Sequence, residues 1–159
     1  MKIKIVAIGK IKEVYLKEGI AEYLDRIKPY CNIEIVEVMD EPIKQNPSDA
    51  EIEIAKDKEC SRAIKNIKPN EYLITLDLGK KELNSPEFAE FLEKKFVEGG
   101  SNITFLIGGS YGLSKAAKDR ANDSISLSKM TFLHQMTRLI LLEQIYRAFK
   151  INRNETYHK

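Results

Sequence analysis

The chain of 159 residues has no tryptophan, two cysteines, two histidines and no long apolar run. No stretch reaches the roughly 18 apolar residues that a membrane-spanning helix needs, so we expect no membrane span. The N-terminal MKIKIVAIGKIKE is not a signal peptide, because its apolar part is too short and no small-residue cleavage site follows.

The shortage of cysteine and histidine argues against a disulfide-rich protein and against a cysteine- and histidine-bound metal site. Cys31 and Cys60 form no disulfide framework, and together with His134 and His158 they match no metal-ligand spacing. We therefore expect no bound metal and a reducing, cytoplasmic setting.

Net charge is also small, at +2, but it is unevenly placed. The segment 129–159 holds six basic and two acidic side chains, a net +4, so the remainder carries −2. A basic segment is what a polyanion partner such as RNA would need, although a solvated basic tail has the same composition.

Short β-branched apolar runs predict buried strands at 2–9, 33–39, 72–78, 103–107 and 124–128. Helical spacing predicts five helices, one with a Ser48–Glu51 capping box and running to about Ile67, and one with Ser85 as N-cap and Pro86 at its first position. The alternation predicts a single α/β domain over residues 1–159 with a mostly parallel sheet. Ligands bind beyond the carboxyl ends of such strands, which here means 76–78, 108–112 and 127–132.

The last and longest helix follows a loop at 129–133. Its predicted core side consists of Leu139, Leu141, Leu142, Ile145, Tyr146, Ala148 and Phe149. Met136 and Ile140 lie on another side, so we expect a partner subunit to cover them. His134, Gln135 and Arg138 interrupt the apolar side, either as hydrogen-bonded helix-start residues or as the wall of a binding site.

The sequence GGSYGLSK at 108–115 does not match a Walker loop or the GxGxxG dinucleotide motif. Glycines directly after a strand still permit close backbone approach to a ligand, or simply a tight turn. A phospho-receiver domain also alternates strands and helices, but it needs an acidic pair after its first strand to bind magnesium. Gly9 and Lys10 stand there instead, which excludes that class.

Five motifs, in order, carry a resemblance that covers the full chain: LITLDLGK, FLIGGSYGLS, SLSKMTFLHQMTR, EQIYRAFK and YHK. Together they resemble the ribosomal RNA large subunit methyltransferase H family, the small single-domain members of the trefoil-knotted, SPOUT-type methyltransferases. The resemblance implies a C-terminal trefoil knot, although knots are rare. It also implies homodimers that use S-adenosylmethionine, without a metal, to methylate N3 of a pseudouridine in helix 69 of 23S rRNA on the assembled ribosome.

The resemblance further implies which residues form the site. The positions that match the family's cofactor-binding residues are Leu76, Gly108, Leu127, Ser128, Lys129, Met130, Thr131 and Phe132. The matching catalytic residues are Arg147, Tyr157 and His158, which makes residues 151–159 a functional tail. His134 and Arg138 also match, and we expect them to shape the loop and the dimer contact.

One departure is visible, because Leu133 stands where the family commonly has proline. Leucine leaves the loop an extra N–H and a freer φ, which bears on loop rigidity and cofactor affinity. Two alternative functions stay open at this point. One is a non-catalytic RNA- or ribosome-binding dimer of the same fold, and the other is a methyltransferase acting on tRNA, although such enzymes generally add an RNA-binding extension.

Overall fold

Strands and helices alternate along the whole chain, as the apolar periodicity predicts. The computed structural model describes residues 1–159. Its elements are β1 (Lys2–Ile8), α1 (Val14–Ile27), β2 (Asn32–Val38), α2 (Asp49–Ile64), β3 (Tyr72–Glu82), α3 (Ser85–Glu98), β4 (Asn102–Ile107), α4 (Lys115–Arg120), β5 (Asp123–Ser126) and α5 (His134–Asn152). The predicted five strands and five helices are confirmed.

The five strands form one sheet in the order β2-β1-β4-β3-β5. Every neighbouring pair is parallel, so all five carboxyl ends lie at the same edge. The α/β class and the single domain are therefore confirmed, with a sheet that is entirely parallel. Parallel sheets need cover on both faces, and this one has it.

Helices cover the two faces unequally. On one face α1, α3 and α5 close a cluster of 21 buried apolar residues, and on the other α2 and α4 close a cluster of 10. Strand β1 shows the alternation, since Ile3 and Ile5 face the larger cluster and Val6 and Ile8 the smaller.

Two of the predicted helix starts can be checked in detail. The Ser48–Glu51 capping box is present, although α2 ends at Ile64 before the predicted Ile67. Ser85 as N-cap is wrong. Asn84 caps α3 with a capping box to Glu87, because its amide oxygen reaches that N–H just as a hydroxyl would, and Ser85 instead donates to Gln144 Oε1 at 2.7 Å.

Strand β3 is longer than predicted, ending at Glu82 and not at Leu78, whereas β5 is short. Their pairing shifts register between Leu76 and Lys81, both of which lie opposite Ile125. The intervening residues 77–80 are extra on β3, with Gly79 at φ +84°. Such a bulge bends a strand and re-aims the side chains that it carries.

Helix α5 packs between α1 and α3 with one side on the sheet. Of its predicted core side, five residues are fully buried and Leu139 and Tyr146 are partly buried against the cluster. Arg138 is only 1 % exposed, which the apolar pattern does not predict.

None of the helices is long and apolar enough to cross a membrane. Strand order and helix packing are consistent with the C-terminal knot. Pairing alone does not define how the chain threads, so the knot itself stays a prediction.

Candidate active site

The three predicted strand-end segments meet at one cavity at the carboxyl edge of the sheet. Its volume is about 610 Å³, and its walls come from 76–78, 107–113 and 126–134 with parts of α2, α4 and α5. This size lies within the usual range of about 300–1,000 Å³ for small-molecule pockets.

Seven of the eight residues predicted to bind the cofactor line this cavity. They are Leu76, Gly108, Leu127, Ser128, Met130, Thr131 and Phe132. Lys129 does not line it. The structure thus brings these positions together, and their role toward a cofactor stays a prediction.

The glycine loop is shaped by its own backbone. A Cβ at Gly108 would lie 2.8 Å from the carbonyl carbon of Gly112, closer than real contacts allow. Gly112 has φ +87°, and its N–H donates to the Gly109 carbonyl at 3.0 Å. The sequence left open whether this loop approaches a ligand or is only a tight turn. In the structure it is a tight turn that also lines the cavity.

A buried carboxylate supports this loop from behind. Glu59 of α2 is 4 % exposed, and a Cβ at Gly109 would lie 3.2 Å from its Oε1. Its Oε2 accepts the N–H of Glu41 at 2.9 Å, and burial raises the pKa of the carboxyl. Sequence reasoning missed Glu59, since it lies within a heavily charged helix and no spacing distinguishes it.

The loop before α5 is held by hydroxyl groups. Ser126 Oγ donates to the Ser128 carbonyl at 2.7 Å, and Ser128 Oγ accepts the N–H of Met130 at 3.0 Å. These short bonds fold 126–130 into a compact turn whose apolar side chains remain free to line the cavity.

Both interpretations of the first turn of α5 apply. His134 and Thr137 line the cavity, whereas Arg138 is buried beneath them, where it binds Glu37 at 2.5 Å and the Gly9 carbonyl at 3.2 Å. Burial, with a contribution from the Arg138 cation, lowers the pKa of His134. The first turn of α5 therefore contributes a half-buried imidazole to the cavity wall, next to an arginine that is buried and ion-paired to a partly exposed Glu37.

The predicted catalytic residues form a separate cluster at the other end of α5. Arg147 Nη1 donates to His158 Nδ1 at 3.2 Å, and its Nε donates to Glu143 at 3.0 Å. Because arginine can only donate, Nδ1 carries no proton in this arrangement. The hydrogen bond to Glu143 raises the pKa of Arg147.

Tyr157 completes this cluster, which we call the tail cluster (Glu143, Arg147, Tyr157, His158). Its hydroxyl donates to Glu143 at 3.2 Å and lies 3.3 Å from the Tyr23 hydroxyl, while Arg147 lies over its ring. Burial and these neighbours raise its pKa, so the phenol stays protonated.

The tail cluster does not reach the cavity of its own chain. None of Arg147, Tyr157 and His158 lines that cavity. Thr137 does, and Arg147 lies ten residues further along α5, or about 15 Å at 1.5 Å per residue. Within one chain the cavity and the tail cluster are therefore two separate groups of residues.

The sequence and the architecture have counterparts among known proteins. A family model described as "Predicted SPOUT methyltransferase" matches residues 1–158. The chain belongs to the SPOUT methyltransferase family. Two curated relatives, both called ribosomal RNA large subunit methyltransferase H, match over 100 % of both chains, one from Carboxydothermus hydrogenoformans at 54 % identity and one from Halothermothrix orenii at 51 %. The resemblance drawn from the motifs is confirmed.

The fold also has a counterpart among solved structures. A probable methylase family protein from Haemophilus influenzae Rd KW20 superposes with a TM-score of 0.51 at 14 % identity, covering 96 % of this chain and 66 % of that one. At this identity the likeness supports the SPOUT fold alone.

The cavity of this SPOUT methyltransferase fits a nucleoside better than a nucleotide. Its two lysines already face carboxylates, with Lys56 Nζ 2.9 Å from Glu53 and Lys118 Nζ 3.8 Å from Asp77. A polyphosphate would have to compete with these carboxylates, and nine of the 21 lining residues are hydrophobic. S-adenosylmethionine, which has an adenosine, a sulfonium and no phosphate, suits this set of groups.

Sequence reasoning missed Lys56, Asp77, Lys118 and Thr137 as cavity residues. The one available signal was for Asp77, a polar residue directly after Leu76 at a strand's apolar end. The others lie on helices whose approach to the cavity depends on tertiary packing.

Proposed function

We propose that this protein transfers a methyl group from S-adenosylmethionine to large-subunit ribosomal RNA, and that the acceptor is N3 of a pseudouridine in helix 69 of the 23S rRNA. The observation that carries the proposal is the convergence of three distant strand ends on one cavity. The two full-length relatives named as ribosomal RNA large subunit methyltransferase H supply the substrate class.

The cofactor would lie between the three strand-end segments. Leu76, Leu127 and Phe132 provide apolar walls for the adenine, and the backbone of Gly108 and of 127–132 supplies hydrogen bonds to its edge. The bound cofactor supplies an electrophilic methyl group. In-line displacement at that carbon needs little from the protein except alignment and exclusion of water.

The acceptor requires more chemistry than the donor. An imide N3–H is mostly protonated at neutral pH, so the proton must leave and the resulting anion must be stabilised. We assign His158 to accepting that proton or orienting the base, and Arg147 to donating hydrogen bonds to the base carbonyls and the developing anion. Because His158 Nδ1 accepts from Arg147 in the free protein, this contact must open before the imidazole can take a proton. Tyr157, which is protonated and stacked under Arg147, packs on or hydrogen-bonds to the base.

We infer that the cavity of one chain and the tail cluster of another meet in a homodimer. One side of α5 is left uncovered by α1, α3 and the sheet, and it presents a partly buried row of Met136, Ile140, Glu143 and Arg147. A two-fold partner packed antiparallel on this row would bring the tail of one chain to the cavity of the other. Residues 151–159 thereby become a functional tail acting in trans.

The proposed substrate is the assembled ribosome in the cytoplasm. A dimer doubles the basic segment 129–159, and contacts between that segment and phosphates would make binding weaken as salt concentration rises.

The decisive experiment is methyl transfer from labelled S-adenosylmethionine to assembled ribosomes, free large subunits and naked RNA, followed by mapping of the modified nucleotide. We expect label on assembled ribosomes, at one pseudouridine of helix 69. Label on transfer RNA would replace the proposed substrate. Ribosome binding without any calorimetric binding of the cofactor would make the protein a non-catalytic binding module.

A further inference from the structure

The bulge in β3 places one acidic residue at the cavity. Residues 77–80 have no counterpart on β5, and Asp77 is the only carboxylate among the 21 residues that line the cavity. The bulge therefore also places a negative charge at the cavity, whose lining includes the basic side chains of Lys56, Lys118 and His134.

This carboxylate is shielded from solvent and poorly partnered. The Asp77 side chain is 14 % exposed, and the one cation within 4 Å is Lys118, whose Nζ lies 3.8 Å away, too far for a hydrogen bond. Glu71, which is equally shielded at 16 %, accepts from Lys4 at 2.8 Å and from Thr104 at 2.6 Å. Asp77 thus has unused capacity for a positive group, since a shielded charge without a close partner is unfavourable.

We propose that the Asp77 carboxylate is the counter-charge for the sulfonium of the methyl donor, and that it makes the cavity bind this donor more tightly than the demethylated product. The inference rests on the proposed use of S-adenosylmethionine. The sulfonium loses its charge when the methyl leaves, so the product, S-adenosylhomocysteine, has a neutral sulfur there. The attraction to Asp77 then disappears, which favours release of the product. Before transfer, the nearby Lys118 cation weakens the attraction between Asp77 and the sulfonium.

The test is calorimetry of both compounds on the full-length protein at low salt. We expect Asp77→Asn, which keeps the shape of the side chain, to weaken S-adenosylmethionine binding by about tenfold or more, because a close charge pair at a solvent-shielded site is lost. Binding of S-adenosylhomocysteine should change by less than about threefold. Lys118→Met should act in the opposite direction and increase the preference for the charged compound.

Asp119→Asn is the matched control, because it removes the same charge from an exposed residue of α4 that pairs with Lys115. It should leave both affinities unchanged. In turnover assays Asp77→Asn should raise KM for the donor, because the carboxylate stabilises the bound, charged donor.

Three results overturn the inference. Equal weakening of both compounds by Asp77→Asn would indicate a structural role, and no weakening of either would remove the contact altogether. If Asp77→Asn proves unfolded by circular dichroism, an unchanged preference in Lys118→Met decides against the inference. Failure of the unmodified protein to bind either compound would instead overturn the proposed function, and this inference with it.

Discussion

The two ends of α5 differ in how they hold their functional groups. At its N-terminal end the cavity is made by strand ends and tight turns, which are held by backbone hydrogen bonds and by the hydroxyls of Ser126 and Ser128. At its C-terminal end the tail cluster is held mainly by contacts between side chains, on the surface of α1 and α5. A rigid pocket suits a small cofactor, whereas a side-chain cluster can rearrange around a large RNA. The separation of the ends is the reason for proposing that a second chain completes the site.

The largest expected effect is recovery of methyl-transfer activity when two inactive variants are mixed. A cavity variant, Gly108→Val, and a tail variant, His158→Ala, should each be inactive as homodimers. If the tail acts in trans, the mixed dimer has one intact site, and random exchange of subunits should restore about a quarter of the wild-type rate. Methyl transfer to ribosomes, measured after mixing and re-equilibration, checks this. A mixture as inactive as its components would show that the tail serves its own chain.

The next effect separates chemistry from cofactor binding. Arg147→Ala and His158→Ala should each lower kcat by about 100-fold or more, as loss of a transition-state donor or a general base does. Calorimetric affinity for S-adenosylmethionine should not change, because neither residue lines the cavity. Arg153→Ala is the control, since this exposed arginine lies over Tyr30 and outside the tail cluster. Wild-type turnover by either variant would remove that residue from the mechanism.

A third experiment compares the cavity with the opposite edge of the sheet. Gly108→Ala and Gly99→Ala both place a Cβ within 3 Å of backbone atoms, of Gly112 and Asn102 respectively. Each should destabilise the fold by about 1–3 kcal/mol, as overpacking does. Only Gly108→Ala should also weaken cofactor binding, because Gly99 lies before β4 and away from the cavity. Denaturant unfolding measures the loss of stability, and calorimetry measures cofactor binding. Equal cofactor affinities of Gly108→Ala and Gly99→Ala would show that the glycine loop does not contribute to the cofactor site.

The smallest expected effect concerns pH. Because the folded-state pKa of His134 is lowered, the unfolded chain binds this proton more readily than the folded one. The contribution to stability is therefore complete above the unfolded pKa of about 6.5, and is lost as pH falls through the folded pKa. His134→Gln should lose less stability than the wild type between pH 7.5 and pH 5 in urea unfolding. An identical loss in both proteins would contradict the burial of this imidazole.

Much of the fold follows from local sequence. The capping box at Ser48 depends on residues three apart, and the strands at β1 and β4 depend on short apolar runs, so neighbouring residues suffice to predict them. The failures arise where local sequence permits two structures. Asn84 and Ser85 can both cap a helix, and the choice between them depends on Gln144, which binds the Ser85 hydroxyl from α5. The extension of β3 was missed because a glycine after an apolar run usually marks the end of a strand. Here Gly79 lies within a bulge, and the strand continues beyond it.

In the candidate site, too, the residues in contiguous motifs were predicted and those brought in by packing were not. The family motifs named Gly108 and the loop at 127–132, since each is a contiguous stretch of sequence. Asp77, Lys118 and Glu59 were missed because their importance depends on which elements pack beside them. The burial of Arg138 was missed for the same reason, since its partners Glu37 and Gly9 come from β2 and from the end of β1.

The sequence by itself determined the alternation of elements, the parallel sheet and the family. Only the tertiary structure decided that three strand ends share one cavity and that the tail cluster lies at the far end of α5. The reason is physical. Periodicity and capping act over a few residues, whereas strand order and helix packing bring together groups that are distant in the chain, through burial that no short segment achieves alone.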